Sequence, residues 1–113
     1  MHEYAVTQSI LEISLRHAAG AGAKRIVEID LAIGQLSSIV DDSVQFYWDM
    51  IADGTIARGA RLRFSRIPAE MRCDQCGNTY QPDDETFDCP VCASQRVTIT
   101  KGTEFLVESI EVE

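Results

Sequence analysis

Hydrophobic positions recur in distinct rhythms along these 113 residues. From Glu3 to about His17 they return at helical spacing, with Val6, Ile10 and Ile13 flanked by Leu11, Leu15 and Ala18. That spacing gathers apolar side chains on one face of an α-helix. Gly20 and Gly22 predict its end, because glycine takes the left-handed conformation past a last turn at little steric cost. The next run, RIVEIDLAI, alternates: Val27, Ile29, Leu31 and Ile33 point one way, Glu28 and Asp30 the other. Alternation of period two is the mark of a half-buried strand. A second helix is predicted from Asp42 to Ala52, with Asp41 or Asp42 as its N-cap and Gly54 as its stop. Val44, Tyr47, Trp48 and Ile51 form its core-facing stripe. RLRFSRI alternates again, Leu62 and Phe64 inward and Arg61, Arg63 and Ser65 outward, until Pro68 interrupts it. Finally EFLVESIEVE sets Leu106, Glu108, Ile110 and Val112 against Phe105, Val107, Ser109 and Glu111.

Together these runs predict an α+β fold: a small three-stranded sheet with two helices, the last strand returning to the sheet of the first zone. Between Met71 and Thr100 the rhythm breaks. That stretch holds all four cysteines, Pro82 and Pro90. It reads as a zinc-ribbon-like module inserted before the final strand. The domains expected are 1–70 with 101–113, and 71–100. Thr79 and Tyr80, then Thr86 and Phe87, are the expected short strands of the ribbon.

The module's chemistry lies in CDQCGNTYQPDDETFDCPVC, which is Cys73-x2-Cys76-x12-Cys89-x2-Cys92. Each CxxC turn aims two sulfurs at one point, and a short hairpin brings the pairs together as a tetrahedron closed at Zn–S bonds of about 2.3 Å. Gly77 relieves the backbone after the first pair, and Ala93 stands at the matching place after the second. A thioredoxin-like centre needs a single CxxC at a helix start. Iron is the chemical rival for four sulfurs, and zinc is the reading favoured. Its role is structural, since a loop of about 30 residues with little core needs a staple.

Composition narrows the function classes. The formal charge is −8, and the ten basic residues are scattered, so no nucleic-acid surface is expected. The module itself carries Asp74, Asp83, Asp84, Glu85 and Asp88, which argues against the alternative of a zinc-ribbon module in a transcription or nucleic-acid complex. No apolar run approaches the roughly 20 residues of a membrane span, and the start does not read as a signal peptide. A cytoplasmic protein with no membrane partner is expected. No nucleophile–base pair, phosphate-binding glycine loop or HExxH motif appears, so no catalytic residue is assigned and the protein is not expected to be an enzyme.

The first residues, Met1-His2-Glu3, offer separate chemistry. The α-amine, the deprotonated His2 amide and the His2 imidazole form adjacent chelate rings, three nitrogen donors held near one plane. A fourth donor can come from the Glu3 backbone nitrogen or side chain, or from a nearby group. Such donor sets favour Ni(II) or Cu(II). His17, late in the first helix, is read simply as a residue suited to the helix dipole.

MHE at the terminus, a helix, a strand ending LAIGQLSSI, then CDQC and CPVC and an acidic last strand resemble the HypA/HybF family of hydrogenase nickel incorporation proteins over essentially the whole chain. The resemblance implies a nickel metallochaperone for [NiFe]-hydrogenase maturation. Its implied partners are the HypB GTPase and the hydrogenase large subunit precursor; in some organisms a similar protein also serves urease. The implied nickel ligands are Met1, His2 and Glu3, and the implied zinc ligands Cys73, Cys76, Cys89 and Cys92. Many relatives carry an acid near the nickel site after the "IG" strand end, for which Asp41 and Asp42 are the candidates here.

Overall fold

The computed structural model describes residues 3–83 and 85–113. Its elements run α1 (Glu3–Gly20), β1 (Ile26–Gly34), α2 (Asp41–Ile51), β2 (Arg61–Ile67), β3 (Glu70–Cys73), β4 (Thr79–Tyr80), β5 (Val97–Lys101) and β6 (Phe105–Val112). The strands form two three-stranded sheets, ordered β2-β1-β6 and β4-β3-β5. The first sheet with the two helices is the expected α+β core.

The chain divides into two compact units. One holds the chain up to Ala32 with Ser38–Ser65 and Leu106–Glu113; the other holds Ile33–Ser37 and Arg66–Phe105. In the first, β1 is the central strand and Ile26, Ile29, Leu31 and Ala32 are buried on it. Helices α1 and α2 pack on each other, with Val44 and Trp48 of α2 buried and the rings of Tyr4 and Tyr47 meeting edge-on at 5.2 Å. The opposing charges of β1 and β2 sit across from one another, as Arg63 lies 3.5 Å from Glu28 and 3.7 Å from Asp30. Exposed pairs of this kind contribute at most about 1 kcal/mol.

Two expectations about the helices are corrected, and the predicted glycine end of α1 is found. The buried stripe of α1 is Thr7, Ile10, Ser14 and Ala18, and Ile13 is 37% exposed. The face is turned by about one residue, and the Thr7 hydroxyl is accommodated because its Oγ1 donates to the Glu3 carbonyl, so its polar atom is satisfied within the helix. Gly20 is still helical, and the left-handed residue is Gly22, at φ 67°. The Gly22 amide donates to the Ala19 carbonyl at 3.1 Å and that of Ala23 to Ala18 at 2.9 Å, the paired bonds of a Schellman end. At α2 the N-cap is Val40, with no side-chain cap, and Asp41 and Asp42 lie in the first turn, where their charge suits the helix dipole.

In the second unit, β3 is the central strand, pairing antiparallel with β4 (Met71↔Tyr80, Arg72↔Thr79) and with β5 (Met71↔Ile99, Cys73↔Val97). Thr79–Tyr80 is thus a strand as expected, but Thr86–Phe87 is not. The Asp83 carboxylate accepts the amides of Glu85 and Thr86 at 2.9 Å each, and Thr86 Oγ1 accepts that of Asp88 at 3.0 Å. Side chains take the donors that a strand would need there. The partner strand comes from Val97–Lys101 instead, tied across by Thr98 Oγ1 to Asp74 at 2.8 Å and Thr100 Oγ1 to Glu70 at 2.8 Å.

The same unit contains a close backbone crossing. Gly34 donates to the Glu104 carbonyl at 2.7 Å, Leu36 to that of Gly102 at 2.7 Å, and the Ala69 amide to Gln35 Oε1 at 2.8 Å. A Cβ built on Gly34 would stand 2.0 Å from the Gly102 oxygen.

Candidate metal centre

Two turns of the same design build the cysteine site. After Cys73, the Gly77 amide returns to the Cys73 carbonyl at 2.9 Å and the Cys73 amide reaches Asn78 at 2.8 Å. After Cys89, Ala93 returns to the Cys89 carbonyl at 2.8 Å and Cys89 reaches Ser94 at 3.0 Å. Closing each loop requires a positive φ, which is 79° at Gly77 and 62° at Ala93. Ala93 therefore holds the glycine conformation despite its Cβ.

The turns present their amides to sulfur. Cys76 N–H points at Cys73 Sγ and Val91 N–H at Cys89 Sγ, each at 3.4 Å. All four sulfurs lie within 4.8 Å of one another, with Cys73 and Cys92 at 3.5 Å and Cys76 and Cys89 at 3.6 Å. Cys73 and Cys89 are buried, Cys76 and Cys92 exposed. Four converging sulfurs with amide donors behind them fit a tetrahedral, thiophilic divalent cation.

The thiols titrate against one another. The Cys76 amide pulls Cys73 below the ordinary thiol value. At Cys89, burial acts upward, but the amides of Cys92 and Val91 and the neighbouring thiols prevail and hold it at about 6. At Cys92 the Ser94 amide pulls downward, but the Cys73 thiol and burial outweigh it and push the group up to about 12. Cys76 is likewise raised, against its Asn78 amide, by burial and by Cys89 and Cys73. Four like charges in so small a volume repel, so some thiols ionise at the expense of the others until a cation compensates them. Burial and the same sulfurs also raise the phenol of Tyr80, which stays a donor and bonds to the Phe87 carbonyl.

Sequence spacing identified the four sulfurs but not their surroundings. Asn78 Nδ2 stands 4.0 Å from Cys89 Sγ, a contact that no motif signals. The sulfur-facing amides, by contrast, follow from the CxxC turn itself.

Of the residues singled out at the amino end, Met1 and His2 lie outside the described residues, as does Asp84 of the acidic loop. Glu3 opens α1, and its Oε2 accepts the Val40 amide at 3.4 Å. The first turn of α1 therefore adjoins the first turn of α2, where Asp41 and Asp42 follow directly. His17 is an exposed residue of the last turn of α1, as expected.

Among the described residues, no helix is long and apolar enough to cross a membrane. The family model described as hydrogenase/urease nickel incorporation, metallochaperone, hypA matches residues 1–112. Hydrogenase maturation factor HypA of Caldanaerobacter subterraneus is 42% identical over 114 residues, covering 100% of both chains. The protein of the same name from Geobacter sulfurreducens is 38% identical over 114 residues, again covering 100% of both. Among solved structures, a solution structure of HypA protein aligns with a TM-score of 0.78 at 25% identity, covering 100% of this chain and 97% of that one. The nickel metallochaperone HypA from Helicobacter pylori aligns at 0.72 and 24% identity, covering 99% and 97%, and supports the fold. The match runs through both units and both cysteine turns, and the chain belongs to the HypA family of hydrogenase maturation nickel metallochaperones.

Proposed function

We propose that this chain binds Ni(II) through the Met1 amine, His2 and Glu3 and passes it to the [NiFe]-hydrogenase large subunit precursor in concert with the HypB GTPase. The reading extends the family assignment to particular residues, and the contact between Glu3 Oε2 and the Val40 amide carries it. That contact joins the first residue of α1 to the residue that precedes Asp41 and Asp42, the two acids of the first turn of α2.

The donor set suits a carrier. Nitrogen ligands from a chain end exchange one at a time, so nickel is held firmly yet surrendered stepwise to an acceptor. Protons compete for the amine, the imidazole and the backbone nitrogen, and affinity falls steeply as pH falls. Cys73, Cys76, Cys89 and Cys92 hold zinc, which supplies folding energy to the second unit. A closed four-sulfur site keeps no position open for substrate, in keeping with a carrier rather than an enzyme. We place the activity in the cytoplasm, with hydrogenase as client and urease as a second client for the same site.

Nickel titration of three proteins tests this: one with its native terminus, His2→Ala, and one extended by two residues before Met1. Nickel affinity is expected to collapse in both altered proteins while zinc stays near one per chain. Undiminished affinity in both would overturn the site. Cys89→Ser is expected to lose zinc, and full zinc retention in it would remove the cysteines from that role.

A further inference from the structure

The sheet of the first unit ends in β6, and among the described residues no strand lies beyond it. That edge spans Phe105–Val112, eight residues, which is long for an unprotected edge. Beside it runs a groove of about 190 Å³ lined by Val107, Glu108, Ser109 and Ile110 of β6 and by Ile13 and His17 of α1. Four consecutive strand residues line it while β1 and β2 contribute none. It therefore follows the outer margin of β6 rather than a face of the sheet. Ile13, Val107 and Ile110 make the apolar part, and Ile13 is 37% and Leu106 43% exposed. An exposed strand edge flanked by a helix accepts an extended peptide by strand addition, with backbone bonds giving affinity and the helix–strand groove receiving alternate side chains.

The charge pattern selects the occupant. No Lys or Arg follows Lys101, while Glu108 and Glu111 lie on β6. A second copy of this strand is a poor partner. In the fully overlapped antiparallel register, Glu108 of each copy would lie diagonal to Glu111 of the other, and a parallel in-register pair would set Glu against Glu. The chain's net charge of −8 adds to that repulsion. A segment alternating apolar and basic residues meets both demands: its apolar side chains enter beside Ile13 and Val107, and its cations lie on the other face with Glu108.

We propose that the outer edge of β6, with Ile13 and His17 of α1, receives an extended, alternately apolar and basic segment of a partner protein as a fourth strand of the sheet. This surface is independent of the nickel ligands, so nickel and zinc loading should be unchanged in a variant that loses it.

The test uses three synthetic octapeptides: alternating Lys-Val, a block peptide of the same composition, and alternating Glu-Val. Binding is followed by fluorescence anisotropy, and backbone amide exchange of residues 105–112 by NMR. Alternating Lys-Val is expected to bind saturably and slow exchange along β6, with Glu-Val at least about tenfold weaker. Ile13→Arg should weaken the Lys-Val peptide about tenfold, and the paired change Glu108→Lys with Glu111→Lys should reverse the preference between Lys-Val and Glu-Val. The paired variant keeps Ile13, Val107 and Ile110, the apolar part of the groove, so it decides the matter if Ile13→Arg misfolds. Equal binding of the block peptide without protection of β6 would mean adsorption to an acidic surface and overturn the proposal. Protection of β6 that appears with rising protein concentration alone would give the edge to a second copy and overturn it as well. So would an absence of binding up to about 1 mM peptide.

Discussion

Gly34→Ala is expected to be among the most damaging single-methyl additions in the molecule. The new Cβ would lie 2.0 Å from the oxygen and 2.1 Å from the carbon of Gly102, and 2.5 Å from the Thr103 nitrogen. These are backbone atoms, so no side chain can swing aside. The backbone is also pinned, because Gly34 donates to Glu104 and Leu36 to Gly102, each at 2.7 Å. Nor can Gly102 retreat, as its own built Cβ position is already 2.8 Å from Ala69 Cα. Relief demands that the two segments part by more than an ångström, which breaks both hydrogen bonds at about 1 kcal/mol each and adds about 1–3 kcal/mol of overpacking strain. The sum, roughly 3–5 kcal/mol, is a large share of the roughly 5–15 kcal/mol that holds a domain together. Gly20→Ala is the control for the same chemical change. Gly20 is the last residue of α1, has nothing within 4 Å of its built Cβ, and should gain about 0.4–1 kcal/mol from reduced freedom of the unfolded chain. Urea unfolding followed by circular dichroism, with zinc release read in parallel, gives both values. At a slope of about 1–3 kcal/mol per molar, Gly34→Ala should lower the midpoint by at least about 1 M. A loss below about 1 kcal/mol for Gly34→Ala, or an equal loss in the control, would refute the argument from close approach.

Ala93→Gly should strengthen the second cysteine turn. A left-handed alanine costs about 1–2 kcal/mol, glycine's looser unfolded chain returns about 0.5–1, and the net gain of about 0.5–1 kcal/mol should raise resistance to a competing zinc chelator about 2–5-fold. Weaker retention than in the parent protein would show that the turn is not strained. Asp83 should titrate below 3.8, because the amides of Thr86 and Glu85 stabilise its charged form. The lowered value means that its contribution is present above the unfolded-state pKa and lost as pH falls through the folded one. The NMR amide signals of Glu85 and Thr86 should move with that midpoint, and Asp83→Asn should abolish the movement. A midpoint at or above 3.8 would remove these hydrogen bonds as the cause.

What could be read in advance was what depends on neighbouring residues. The CxxC turns are closed by contacts within five residues, so spacing alone located all four sulfurs, and the shared place of Gly77 and Ala93 corresponds to a shared positive φ. The alternation of β1, β2 and β6 was equally visible, because each places apolar residues in one core. The buried face of α1 was missed because hydrophobicity cannot register a hydroxyl satisfied by its own helix, as in Thr7. Ser14 goes further, its buried Oγ having no hydrogen-bond partner among the described residues. Strand β5 was missed because VTITK carries two threonines whose purpose, bonding to Asp74 and Glu70, appears only when residues 24 and 30 positions away arrive.

The same distinction separates the chemistry of the cysteine turns from that of the amino-terminal residues. The cysteine site is specified twice over, by spacing and by backbone geometry, so its donors converge with their supporting amides already in place. At the amino end, Met1, His2 and Glu3 are consecutive, but the partner of Glu3 comes from afar: Glu3 meets Val40, 37 positions later, just before Asp41 and Asp42. A site closed by its own turns suits a permanent structural ion. If nickel binds at the amino end as proposed, its affinity depends on how two elements are packed, and substitutions that loosen α1 from α2 should weaken it even when Met1, His2 and Glu3 are intact. Tyr47, whose ring meets Tyr4 edge-on at 5.2 Å one residue beyond Glu3, is where that dependence is most direct.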